Sequence, residues 1–71
     1  MSRTYRYHEK KTRRDDARQQ ADRMLMQGNV YAACRMAAEI ALSMHPTRQA
    51  EGRAFWQEVL AVLTEVRDAE G

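Results

Sequence analysis

The sequence predicts an all-α protein of three helices. Apolar side chains recur every three to four residues along most of the chain, which is the period of one face of an α-helix. Alternation typical of a strand is confined to residues 3–7, a stretch too short and too charged to found a sheet. The helical pattern is interrupted at Gly28-Asn29 and at His45-Pro46-Thr47. These breaks predict helices over about 8–27, 30–44 and 48–68.

Each break carries residues that end one helix and begin the next. Gly28 suits the left-handed backbone position that commonly follows a helix, and Asn29 is a good N-cap for the second helix. Pro46 stops the second helix, and Thr47 can cap the third. The second and third helices are therefore expected to form a hairpin, preceded by a charged N-terminal helix.

The third helix has the clearest amphipathic pattern. At 100° per residue, its large apolar side chains occupy one arc of a little under half the circumference: Phe55, Trp56, Val59, Leu60, Val62, Leu63 and Val66. Gly52 lies within this arc, where its missing side chain would let another helix approach closely. This helix is expected to bury a single face.

The second helix is apolar nearly all round. Only Arg35, Glu39 and Ser43 form a polar strip, and the spacing of the first two predicts a surface ion pair. A helix of this kind needs neighbours on nearly every side, more than two short companions supply. We therefore expect a homodimeric helical bundle with these residues at the interface: Met36, Ile40, Leu42, Trp56 and Leu60. The alternative is that a different protein covers the patch.

The length of 71 residues limits the chain to a single helical domain, 1–71, with residues 1–7 as a candidate flexible basic arm. A core of this size contributes little net stability, and the lone Cys34 cannot form a disulfide within one chain. Neither a secretory signal pattern nor a long apolar run is visible. We expect a soluble, cytoplasmic protein without a membrane partner.

Positive charge is concentrated near the start. Residues 1–24 carry eight basic and four acidic side chains, whereas the remainder carries four basic and six acidic ones. A basic segment of this kind attracts nucleic acid or acidic protein surfaces. The candidate contacts to DNA or RNA are Arg3, Arg6, Lys10, Lys11, Arg13 and Arg14. Acidic residues four positions away neutralise part of this charge.

Catalytic and metal-binding patterns are missing from the sequence. His8, Cys34 and His45 are isolated, without the spacing that brings two metal ligands onto one face. Ser43 has no histidine or lysine partner by spacing, and Glu58 and Glu65 lie on a solvated face. No glycine-rich phosphate loop is present. We expect no catalytic residues, no metal, no cofactor and no enzymatic activity.

The stretch from Gly28-Asn29-Val30-Tyr31-Ala32-Ala33 through Ala41-Leu42 to Pro46 resembles the second half of a tetratricopeptide repeat. The resemblance covers about a quarter of the chain, with one residue too many between Gly28 and Pro46. The preceding helix lacks the repeat's aromatic and glycine positions, and no second copy follows. We assign no family on this basis. The resemblance itself would imply peptide or protein binding.

The sequence thus predicts a non-enzymatic protein-interaction and regulatory module, homodimeric and of the kind found among small bacterial accessory proteins. The alternative function is a nucleic-acid-binding regulator that uses the basic N-terminal segment.

Overall fold

The structure is a computed structural model that describes residues 12–70 and has three α-helices. Helix α1 spans Arg13–Gln27, α2 spans Val30–Ser43 and α3 spans Ala50–Glu70. Within residues 12–70 there is no strand. The predicted all-α class and order of three helices are confirmed.

Helix α3 is the centre of the arrangement. It packs along both α1 and α2, whereas α1 and α2 contact each other at few positions. The hairpin of α2 and α3 is therefore confirmed, and α1 lies against another side of the same long helix. Helix α3 is thus the main neighbour of α2, and α1 covers α2 at only a few positions.

The core shared by the three helices is built from small side chains. Five of the eleven buried apolar residues are alanines, and only Leu63 and Val59 are large side chains that are fully enclosed. The buried set is Ala17, Ala21, Met24, Val30, Ala33, Cys34, Ala37, Ala41, Val59, Val62 and Leu63. Since hydrophobic stabilisation scales with the apolar area removed from water, alanines contribute little of it.

Helix α1 begins later than the apolar pattern suggests. Thr12 has extended backbone angles and accepts a hydrogen bond from the Asp15 amide at 3.1 Å, while its own amide donates to the Asp15 carboxylate at 3.2 Å. This reciprocal capping box satisfies two amides at the helix start. A single helix running from residue 8 to residue 27 was therefore a wrong prediction, although residues 8–11 lie outside the described residues.

The link between α1 and α2 differs in one detail from the prediction. Gly28 has φ −167° and ψ −169°, which is extended backbone and not the left-handed conformation. Its amide donates to the carbonyl oxygen of Met24 at 3.1 Å. Asn29 caps α2 as predicted, because its side-chain oxygen accepts from the Ala32 amide at 2.8 Å.

The turn between α2 and α3 is capped by a histidine. Nδ1 of His45 accepts from the backbone amides of Thr47 and Arg48, both at 3.1 Å, and lies 2.9 Å from the Thr47 hydroxyl. In return, the His45 amide donates to the Gln49 side-chain oxygen at 2.9 Å. The two exchanged bonds do the work of a capping box. The imidazole, rather than Thr47, therefore caps the turn that leads into α3.

The same corner is fixed by α3 itself. The Arg53 guanidinium donates to the Met44 carbonyl oxygen at 3.2 Å, which places a cation at the C-terminal end of α2. A Cβ atom built on Gly52 would lie 3.0 Å from the Met44 sulfur. The space left by Gly52 is thus taken by the side chain of Met44, the residue that follows α2.

Candidate interaction surface on the second helix

Helix α2 buries mostly small side chains and exposes three of its large apolar ones. The residues it buries are mostly small, namely Val30, Ala33, Cys34, Ala37 and Ala41. Its larger apolar side chains point outward, with Tyr31 at 64%, Met36 at 54% and Leu42 at 73% exposed. A surface helix normally turns its large apolar residues toward the core. The outward position of these three side chains therefore calls for an explanation other than folding of one copy.

We define the outer face of α2 as its seven exposed residues: Tyr31, Ala32, Arg35, Met36, Glu39, Leu42 and Ser43. With 100° between successive residues, Tyr31 and Leu42 lie within about 20° of each other on one flank of this face. Met36 lies on the opposite flank, about 120° from Leu42. Two exposed apolar flanks thus border a polar centre.

The polar centre consists of Arg35 and Glu39, which lie one turn apart and are both exposed. The predicted ion pair between them is not formed: the ion pairs among residues 12–70 involve other side chains. Within residues 12–70, neither of these two opposite charges thus has an ion-pair partner.

Two shallow depressions border the outer face. One, of about 200 Å³, lies where α1 meets α2 and is lined mainly by apolar atoms, with Met24, Ala32 and Met36 among its walls. The other, of about 400 Å³, runs along the surface of α2 and includes Tyr31 and Arg35. Both are open to solvent, a shape suited to side chains of a partner rather than to an enclosed small molecule.

The residues predicted at the interface do not all lie on this surface. Met36 and Leu42 belong to the outer face, and Ile40 is half-buried at its edge. Trp56 and Leu60 instead pack against the core cluster from α3. The Trp56 ring also meets Phe55 edge to face, with 5.6 Å between ring centroids. The structure therefore brings together two of the five predicted residues, with Ile40 beside them.

Tyr31 is the large apolar residue of the outer face that the sequence prediction did not include in the interface. Its position eleven residues before Leu42, three helical turns along the same flank, is the signal that pairs the two.

The basic residues nearest the start of α1 are engaged by α3. The Arg14 guanidinium donates from Nη1 to Glu58 and from Nη2 to Glu65, both at 2.6 Å. Arg13 donates to Glu51 at 3.0 Å. The hydrogen bonds from Glu58 and Glu65 raise the pKa of Arg14 above its ordinary value. Because these two cations already hold carboxylates, part of their positive charge is neutralised within the protein, which weakens their attraction for phosphate.

The other four candidate nucleic-acid contacts, Arg3, Arg6, Lys10 and Lys11, lie outside the described residues, as does His8. Cys34 is a buried free thiol, and the hydroxyl of Ser43 donates to the Ile40 carbonyl oxygen at 2.7 Å. In residues 12–70, no three His, Cys, Asp or Glu side chains are grouped so that they could hold a metal ion. Nor does any helix in that range combine the length and apolar content needed to cross a membrane.

Comparison with known proteins adds no family to this description. No protein-family model, no curated protein and no solved structure matches the chain.

Proposed function

We propose that this protein is a non-enzymatic protein-interaction and regulatory module that acts as a homodimer through the outer face of α2. The observation that carries the proposal is the outward position of Tyr31, Met36 and Leu42 on a helix whose buried face is mostly alanine. Exposed apolar side chains grouped on one element mark an interaction site more often than isolated ones do.

A second copy suits this surface because it would bury apolar area that the core of a single copy does not provide. Burying one large apolar side chain contributes on the order of 1.5–3 kcal/mol. A two-fold contact presents the same patch twice, so that each exposed side chain of one copy is covered together with its equivalent in the other. Because the core of a single copy is rich in alanine, apolar area buried in the dimer contact would add to the stability of the fold.

The buried, unpaired thiol of Cys34 fits a reducing compartment, and it supports our proposal of a cytoplasmic location. A regulatory role follows from the same proposal, since a surface that binds a copy of the chain can also exchange it for another protein.

Nucleic-acid binding remains the second candidate, supported by the concentration of basic residues in the first third of the sequence. It now rests on Arg3, Arg6, Lys10 and Lys11, because carboxylates of α3 hold Arg13 and Arg14. Replacement of these four residues by glutamine should abolish any DNA or RNA binding and its steep decline with added salt. Binding that survives the replacement would rule this segment out.

The homodimer is tested by the mass of the full-length protein in solution, measured by light scattering over a range of concentrations. We expect the dimer mass for the wild type and the monomer mass for Leu42→Asp, which places a carboxylate in the proposed contact. The matched control is Met26→Asp, because Met26 is 86% exposed and lies on α1, outside the residues that define the outer face. Circular dichroism of both variants checks that they are folded. A folded wild-type monomer at the highest concentration overturns the proposal, as does an equal effect of the two substitutions.

A further inference from the structure

We infer that two copies of α2 pair antiparallel across a two-fold axis near Ala37, so that Arg35 of each copy meets Glu39 of the other. This inference rests on the proposed homodimer and adds the orientation and register of its contact. It starts from the two opposite charges at the centre of the outer face, which form no ion pair with residues 12–70.

The register follows from symmetry. When a two-fold axis crosses two antiparallel helices, a residue a given number of positions before the axis lies opposite one the same number after it. Arg35 and Glu39 each lie two positions from Ala37. A pairing centred there places each guanidinium opposite a carboxylate, and symmetry forms this pair twice.

The flanks of the outer face match in the same register. Tyr31 lies six positions before Ala37 and Leu42 five after it, on the same flank. The aromatic ring of one copy therefore meets the leucine of the other, again twice. On the opposite flank, Met36 lies one position from the axis and meets its own equivalent. Every large exposed apolar residue of α2 thus obtains an apolar neighbour.

Small residues complete the contact. Ala32 lies five positions before Ala37 and Ser43 six after it, again within about 20° around the helix. Their pairing on the flank of Met36 lets the two backbones approach closely. The match extends over three helical turns.

A parallel two-fold pairing fails on charge. It would place each residue opposite its own equivalent, so that Glu39 would face Glu39 and Arg35 would face Arg35. Like charges directly opposed across a helix contact are destabilising. The antiparallel arrangement instead places each charge opposite one of the other sign, which is why we prefer it.

The orientation is tested by cross-linking the full chain with a short bis-maleimide. Ala32→Cys and Ser43→Cys are introduced separately in a Cys34→Ala background, so that each protein has one exposed thiol. We expect a covalent dimer when the two proteins are mixed and none when either is treated alone. Cross-linking of each protein with itself indicates the parallel orientation and overturns the inference. A dimer by mass that no combination cross-links overturns the inference but leaves the homodimer standing, whereas a monomer by mass defeats both.

The register is tested by reversing charges. Arg35→Glu and Glu39→Arg each turn two attractions into two repulsions, so each should weaken the dimer by about tenfold or more. The double substitution R35E/E39R restores both attractions and should dimerise like the wild type. Arg48→Glu reverses a charge in the turn before α3 and serves as the control, with no expected effect. A double variant as weak as the single ones would overturn the pairing of Arg35 with Glu39.

Discussion

Nη2 of Arg14 in α1 lies 2.6 Å from the Oε2 atom of Glu65 in α3. Since Nη1 of the same guanidinium holds Glu58, one side chain joins α1 to two turns of α3. The arrangement uses the planar fork of arginine, which lysine could not reproduce.

We expect Arg14→Gln to lower the thermal stability of the protein more than Arg13→Gln does. Arg13 makes a single contact with Glu51, whose side chain is 92% exposed, and exposed pairs contribute only about 0–1 kcal/mol. Replacement of Arg14 removes two charge-assisted hydrogen bonds. It also leaves the carboxylates of Glu58 and Glu65, two turns apart, without their shared cation. Thermal unfolding of both variants at one protein concentration compares them. Equal midpoints would show that the fork adds nothing beyond a surface pair.

The contact of Arg14 with its two carboxylates also predicts how its contribution to stability depends on alkaline pH. The carboxylates raise the pKa of Arg14, so its contribution is complete below the ordinary arginine pKa and is lost only when the pH rises through the raised value. Alkaline titration up to the ordinary range of arginine should therefore leave the Arg14 contribution intact. The difference in midpoint between wild type and Arg14→Gln checks this, because it should stay constant over that range.

Replacement of His45 should separate its capping role from other effects of the side chain. His45→Ala removes the acceptor for two backbone amides and should lower the free energy of unfolding by about 0.5–2 kcal/mol. His45→Asn supplies a side-chain oxygen of the kind preferred at N-caps and should retain most of the stability. Urea unfolding measures both. The same loss in the two variants would argue against capping.

The two interior glycines of the described chain should respond in opposite ways to added side chains. Gly28 has extended backbone, and a Cβ there would meet nothing within 4 Å. Gly28→Ala should therefore leave stability unchanged or raise it by up to about 1 kcal/mol, because alanine restricts the unfolded chain. Gly52→Leu forces atoms into the Met44 side chain and should cost about 1–3 kcal/mol. Chemical unfolding distinguishes the two, and a destabilised Gly28→Ala would contradict the extended conformation.

The few large side chains of the core should carry much of its stability. Leu63 is fully buried, and Leu63→Ala should lower the free energy of unfolding by about 2–5 kcal/mol. Met26→Ala, at an exposed position on α1, should change it by less than about 0.5 kcal/mol. Urea titrations followed by far-UV circular dichroism at a fixed protein concentration provide the comparison, since association affects apparent stability. A small loss for Leu63→Ala would mean that the site collapses around the cavity.

Local patterns predicted the class and the second and third helices well. The structural bounds Val30–Ser43 and Ala50–Glu70 lie within two residues of the predicted ones. The start of α1 was missed even though Thr12-Arg13-Arg14-Asp15 follows the spacing of a capping box. The helical periodicity of the charged residues around it outweighed that short signal.

The surface could be predicted only in part. Periodicity showed that α2 has apolar residues on nearly every side, but it does not determine which side α3 covers. The fork of Arg14 joins residues more than forty positions apart, so local spacing carries no sign of it. Likewise, the packing of Trp56 and Leu60 against the core depends on contacts between helices rather than on the pattern within one helix.

The central position of α3 makes the fold dependent on its longest helix. Most contacts of α1 and of α2 are with α3, so neither helix retains a packing partner of any size once α3 separates. Backbone amides in the middle of α3, around Val59 and Leu63, should therefore exchange their hydrogens only when the whole molecule opens. Amides at the outer ends of α1 and α2 should exchange through smaller, local openings. We therefore expect that no pair of these helices stays folded without the third.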